Sequence, residues 1–427
     1  MFGPENLQSL VGLSAILLIC WSLSENRRAF PWKLAGGALL IQAALVLALF
    51  GVPPLRAGLA GVGLAVDGLA ASTQAGVAFV FGFLSGLPDQ PYAVTNPGGL
   101  FVFAFRVLPV ILVVCALAAL LWHWRILKWV TRLFGLVFEK TMGLRGAPAL
   151  ATAATVFMGQ VEGPIFIRSY LTSLSRSELF MLIAVGMSCV SGSTMVAYAA
   201  ILKGVLPGAA AHVLTASIIS APAGILLARI LVPRDPATEQ PMTLDPGSDK
   251  VYESSIDAMI KGTTDGLQIV LSIAATLIVF VALVAMVNGM LAMLPHLGGQ
   301  PVSVERIFGV IFAPLAWSIG VPWKDASLAG SLLGVKLVLT EFTAFIRLGA
   351  IPVGSMDERT RIIMTYALCG FANIASVGMN VAGYTVLVPQ RRSEVIGMVW
   401  KAMFAGFLAT CVTAAVVGAM PGALFGH

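Results

Sequence analysis

Apolar runs of roughly 20 residues, the length a helix needs to cross membrane hydrocarbon, alternate with short charged stretches along most of this chain. Residues 7–23, ended by Ser24-Glu25-Asn26-Arg27-Arg28, predict a first crossing, and residues 34–50 predict a return. Residues 52–100, rich in Gly and Pro, predict an exterior loop with a helix lying along the interface, best placed over 76–84. Further crossings are predicted over 101–121, 179–202, 209–231, 267–294, 362–387 and 395–417, with an amphipathic surface helix over 126–138.

Two other apolar stretches are interrupted. Residues 148–174 contain Gly159, Gly163 and Pro164, and residues 307–348 contain Pro314, Gly320, Pro322 and Gly330. Backbone that leaves the helix at membrane depth is tolerated only where protein or a water-filled cavity receives it, so each stretch predicts a re-entrant hairpin. The crossing that follows each hairpin is also opened. The first is opened at Ser188, Ser191, Gly192, Ser193 and Thr194, the second between Cys369 and Ser376.

The expectation is an all-α polytopic membrane protein with eight transmembrane helices and two re-entrant helical hairpins in an inverted repeat. Residues 1–147 form scaffold helices, 148–231 a first transport half and 232–262 a cytoplasmic linker. Residues 263–304 form a long tilted scaffold helix and 305–427 a second transport half. Interrupted helices meeting near the midplane in inverted repeats are the mark of secondary transporters.

Composition agrees. The chain of 427 residues is 58% hydrophobic and 11% charged, with mean hydropathy +0.92. The net charge of +6 comes with no basic cluster or aromatic platform for nucleic acid; the basic residues gather in short loops instead. Arg27, Arg28 and Lys33 place the first loop in the cytoplasm, so both termini are expected outside a cytoplasmic (inner) membrane. The Met-Phe-Gly-Pro-Glu start lacks a basic n-region, which predicts an uncleaved first helix. The five cysteines and four histidines are scattered, so neither a zinc site, a disulfide framework nor a cofactor is expected.

The chemistry concentrates in two acids inside apolar runs, Glu162 and Glu341, each opening the spelling Glu-x3-Phe-Ile-Arg. Ion pairing with Arg168 or Arg347 is the structural alternative, but a separation of six residues does not put two side chains on one helical face. An acid at that depth otherwise marks a polar solute or a coupling charge. Gln160 both donates and accepts while the Glu162 carboxylate only accepts, a pairing suited to the edge of a planar heterocycle. Glu341, Asn373 and Ser376 form a hydroxyl-binding group suited to a sugar, and Phe371 could stack on a ligand. No single helix is read as carrying a continuous polar stripe, which sets a channel aside. An intramembrane enzyme using Glu162 and Glu341 as acid and base has no accompanying nucleophile, metal motif or nucleotide loop.

The stretches Gly159-Gln160-Val161-Glu162, Gly320-Val321-Pro322-Trp323, Glu341-Phe342 and Ala367-Leu368-Cys369-Gly370-Phe371-Ala372-Asn373 resemble the concentrative nucleoside transporter family in its bacterial form. The likeness runs the length of the chain. It implies a homotrimer of cation-coupled symporters that import nucleosides, a modified nucleoside or free base being the alternative solute. By matching position, Gln160, Val161, Glu162 and Thr194 look like the nucleobase side of the site. Glu341, Asn373 and Ser376 look like ribose contacts, with Phe371 as a wall. Val161 stands where a Thr or Ser is usual. The coupling-ion positions look like Thr155, Met158, Cys189 and Val190, where sodium-using members place an Asn and a Ser at the first and third. A thiol is a poor ligand for a hard cation, so Na+ and H+ both remain open.

Overall fold

The computed structural model describes residues 4–85, 102–144, 146–160, 162–165, 167–234, 252–296, 299 and 301–425. Helices α1 (Pro4–Ser22) and α2 (Trp32–Gly51) are followed by α3 (Pro53–Phe81), the short α4 (Phe103–Arg106), α5 (Leu108–His123) and α6 (Ile126–Met142). The first interrupted region gives α7 (Ala147–Met158) and α8 (Glu162–Ile165); then come α9 (Arg176–Ser188), α10 (Gly192–Leu202) and α11 (Ala209–Leu231). Helix α12 (Ser255–Leu291) leads to α13 (Val304–Ser318), α14 (Trp323–Val338) and α15 (Glu341–Ala350). Helices α16 (Glu358–Leu368), α17 (Ile374–Leu387) and α18 (Arg392–Gly418) complete the chain.

Contacts at helix ends sort those ends onto two faces. On the first face, the Asn6 amide donates to Gly418 O and Met420 O, joining the start of α1 to the end of α18. Phe50 stacks on His212 at 4.9 Å, joining the end of α2 to the start of α11. On the second face, Glu25 N donates to Leu231 O, and the Glu25 carboxylate pairs with Arg176 at 3.0 Å and Lys401 at 3.2 Å. The Trp124 indole donates to Ser255 Oγ, so α5 ends where α12 begins.

This map makes α1, α2, α5, α9 with α10, α11, α12, α16 with α17, and α18 run from face to face. By length and apolar composition alone, eight described helices could cross a membrane, counting α3 and omitting the broken α16 and α17. End contacts decide otherwise. Helix α3 starts directly after α2, and its Asp67 pairs with Lys203, just past the end of α10, so its length lies along the first face. The surface helix expected at 76–84 is therefore much longer, because Pro53 and Pro54 occupy a first turn that needs no backbone donors.

The two hairpins enter from opposite faces. Arg391 donates to Leu171 O and Leu174 O, returning the α7–α8 hairpin to the second face. Arg361 donates to Leu348 O, Ile351 O and Pro352 O, and Thr360 donates to Asp325, so α14 and α15 start and finish together on the first. Residues 307–348 form three helices instead of two arms. Pro314 lies inside α13, the 117° turn between α13 and α14 sits at the face, and the deep break is at Leu339–Thr340. At that turn Gly320 has φ +108°, and a Cβ there would lie 2.2 Å from Ser9 Oγ.

Several of the half-helices open with a side-chain N-cap, so those breaks are finished helix ends, whereas α10 opens at Ser191 without one. Ser175 and Glu178 form a capping box on α9, Thr340 accepts from Thr343 N on α15, and Asn373 accepts from Ser376 N on α17. Ser254 does the same for α12 through Asp257 N, starting that helix inside the expected 232–262 linker, most of which lies outside the described residues. Helices α9, α11 and α18 make the buried centre. Helix α12 lies along α5, where Gly262 and Gly266 meet Cys115, Ala116 and Leu112 with no room for a side chain.

Candidate functional site

The two breaks touch. Phe371 N donates to Cys189 O at 3.3 Å, so the unwound segments 189–191 and 369–373 cross at the centre of the molecule. The hairpin tips reach this crossing from opposite sides. Gly159, with φ +117°, ends α7 and turns the chain so that Gln160 faces the second break.

There, Gln160 Nε2 donates to Ser376 Oγ at 3.2 Å, and Asn380 Nδ2 donates to Gln160 Oε1 at 2.9 Å. Ser376 is fully buried and lies behind Gln160, off the cavity wall, where the sugar-binding expectation had put it. On the second hairpin, Glu341 is held on both oxygens. Tyr198 OH donates to Oε1 at 2.8 Å and Asn373 Nδ2 to Oε2 at 2.5 Å. Arg347 turns away to pair with Glu305 at 2.9 Å, so the structural ion-pair reading of Glu341 fails.

A cavity of about 450 Å³ opens over these groups, within the range of small-molecule sites. Gly159, Gln160, Thr194, Glu341, Phe342, Phe371 and Asn373 line it. Thr194 is tied back, its hydroxyl donating to Ser191 O at 2.9 Å. Val161 and the Glu162 side chain lie outside the described residues.

The far wall is α12, and it corrects the sequence reading. Asp265, Gln268, Ser272 and Thr276 face the cavity at intervals of 3, 4 and 4, a polar stripe on one helical face. Asp265 is thus a further acid, on a spanning helix, whereas Glu162 and Glu341 lie on the hairpins. Helical periodicity inside the apolar run 267–294 and just before it could have shown the stripe; Tyr198 and Asn380, brought in from distant helices, left no local signal. Lys336 is also buried within α14. Its ammonium donates to Ala367 O at 2.8 Å and Thr410 Oγ1 at 2.7 Å, holding the carbonyl end of α16 beside the break.

The positions read as coupling-ion ligands are close together but engaged. Thr155 Oγ1 donates to Ala151 O at 2.8 Å. The Val190 carbonyl accepts from Ser217 Oγ at 3.0 Å, that of Cys189 accepts from Phe371 N, and the Cys189 thiol is buried beside Ser188 Oγ at 3.7 Å. Met158 closes α7, half-buried. Ser217, on α11, was not anticipated.

Residues 11–84 match the family described as Na+ dependent nucleoside transporter N-terminus, residues 104–205 the one described as Nucleoside recognition, and residues 212–418 the Na+ dependent nucleoside transporter C-terminus. The chain is 34% identical to the nucleoside permease NupC of Helicobacter pylori, covering 97% of each. It is 30% identical to sodium/nucleoside cotransporter 1 of Sus scrofa, covering 97% of this chain and 64% of that one. A solved structure of CNTnw in an inward-facing substrate-bound state aligns with a TM-score of 0.89 at 34% identity, covering 98% of both chains.

Proposed function

Because this chain belongs to the concentrative nucleoside transporter family, a family of multi-pass membrane proteins, we propose that it is a symporter importing nucleosides with a cation, Na+ or H+. The observation that carries this reading is the cavity over the crossed breaks, where an amide and a carboxylate from opposite hairpins face one another.

Gln160 reads the base edge, with Glu162 and Thr194 beside it and Val161 setting selectivity. Its amide can donate and accept, and Ser376 with Asn380 fixes which way it points. Glu341 and Asn373 take the ribose hydroxyls. Two carboxylate oxygens offer about four acceptor sites, so the Tyr198 and Asn373 bonds leave lone pairs for a sugar. Phe371 supplies a flat apolar wall.

The second face is the cytoplasmic one, since Arg27, Arg28, Lys33, Arg391 and Arg392 gather there, which puts both termini outside an inner membrane. Residues 148–231 and 305–427 then act as the two transport halves around a scaffold of residues 1–147 and 263–304. The assembly proposed, from the family resemblance, is a homotrimer; the exposed apolar residues of α12, including Ile278, Val281 and Met286, are then open to partner subunits or to lipid.

Uptake of radiolabelled uridine and adenosine into cells expressing the chain tests the reading. Saturable uptake of either is expected; no saturable uptake under both a sodium and a proton gradient overturns it.

A further inference from the structure

Asp265 lies ten residues into α12 from Ser255, about 15 Å along the helix axis from the second face. It borders the nucleoside cavity and also a smaller pocket of about 60 Å³. Ser191, Ser193 and Tyr252 supply the polar lining of that pocket, and Phe157, Met158, Cys115 and Ile269 are among its apolar walls. At roughly 30 Å³ per molecule, the space suits one or two waters, with enough polar groups to hold them. Tyr252, three residues before Ser255, places the outlet at the second face.

We propose that Asp265 carries the coupling charge, binding a proton in the loaded transporter and releasing it to water at the second face. This rests on the symport reading above and goes beyond it by assigning the ion and its residue. Three observations converge.

No Lys, Arg or His lines either cavity among the described residues, so nothing there neutralises the carboxylate. An unpaired acid at membrane depth takes a proton. The groups facing it are Cys115 from α5, Tyr252 below and Glu341 across the cavity; on its own helix, Asp257 and Lys261 pair with each other at 2.9 Å. The adjoining hairpin tip and broken helix contribute only neutral side chains among the described residues.

The pocket also lies in a seam. Phe157 and Met158 end the first arm of the first hairpin, and Ser191 and Ser193 open α10, whereas Asp265 belongs to a helix anchored on α5. Any movement of that tip against α12 changes the water around Asp265, which links protonation to the position of the tip. Finally, the positions read for sodium offer it few side-chain oxygens: Cys189 brings a thiol, Met158 a thioether and Val190 an alkyl group, leaving the Thr155 hydroxyl as the one side-chain oxygen among them, a poor set for a hard cation. The step balances simply: on loading, hydronium gives its proton to the carboxylate and leaves as water, and on release water takes the proton and becomes hydronium.

The test uses full-length protein in liposomes, with tritiated uridine and an inward pH gradient, in sodium or choline chloride. Wild type is expected to accumulate uridine in choline when the outside is acid. D265N should lose that accumulation by about tenfold or more, within the usual span of coupling energies, while still exchanging uridine across the bilayer. D265E should accumulate. Accumulation by D265N equal to wild type overturns the proposal. So does wild-type accumulation that needs sodium and ignores pH, or loss of exchange together with accumulation in D265N. Wild type that neither accumulates nor exchanges uridine overturns the symport reading itself.

Discussion

Tyr198 OH donates to Glu341 Oε1 at 2.8 Å, while Asn373 takes the other oxygen, so one carboxylate joins the second hairpin to both broken helices. Leaving a buried acceptor one donor short costs about 1–3 kcal/mol. Tyr198→Phe should therefore raise the KM for nucleoside uptake about tenfold or more, with normal amounts of protein in the membrane. Uptake kinetics alongside a surface-labelling assay check this.

Gln160 and Asn380 should act as one unit. Asn380 donates to Gln160 Oε1 and to Ser376 O, both at 2.9 Å, and reaches the cavity only through Gln160. Asn380→Ala is expected to raise KM several-fold with kcat nearly unchanged. Contacting residues couple by about 0.5–3 kcal/mol, so adding Asn380→Ala to Gln160→Ala should have little further effect. A double-mutant cycle on uridine uptake measures it, and fully additive losses would count against the arrangement.

Arg347 and Glu305 make a contrasting pair. They sit part-exposed at 2.9 Å from each other and away from the cavity. Such pairs contribute about 0–1 kcal/mol, so Glu305→Gln should lower thermal stability slightly and leave KM alone. Glu341→Gln, by comparison, should abolish most uptake.

That contrast shows how far the sequence could be read. Glu162 and Glu341 share the spelling Glu-x3-Phe-Ile-Arg, and the argument from helical spacing that Glu341 and Arg347 do not pair holds. Apolar runs of membrane length and the Gly, Pro and Ser residues at the first hairpin and the opened helices are local signals, so those elements were legible. The second hairpin breaks at Leu339–Thr340, which carries no such signal, and Gly320 and Pro322 mark the turn between α13 and α14 instead. Other features were lost because their causes are not local. Ser376 sits behind Gln160 only because α17 passes under the first hairpin, and Tyr198 finds Glu341 only through tertiary packing. The stripe on α12 was local but hidden, because its polar residues are small or isolated within and beside a strongly apolar run.

Glu25 offers a pH test outside the membrane-spanning segments. Burial pushes its carboxyl up, but hydrogen bonds and charges from Arg176 and Lys401 outweigh that, leaving it below the ordinary carboxylate value. A carboxyl lowered by folding stabilises above its unfolded pKa, and that stability fades as pH falls through the folded one. The group is part-exposed, so solvent screening limits the effect to about 1 kcal/mol or less. In detergent, Glu25→Gln should melt below wild type at pH 7, and the gap should shrink in acid.

The central claim is that the crossed breaks hold a nucleoside between Gln160 and Glu341. Equilibrium binding of tritiated uridine to purified protein tests it most directly, using wild type, Gln160→Ala and Glu341→Ala. The account predicts saturable wild-type binding that intact nucleosides displace and free ribose does not, with binding weakened about tenfold or more in each variant, as expected when a buried polar contact is lost. Absence of saturable binding, or equal binding by all three proteins, would contradict it.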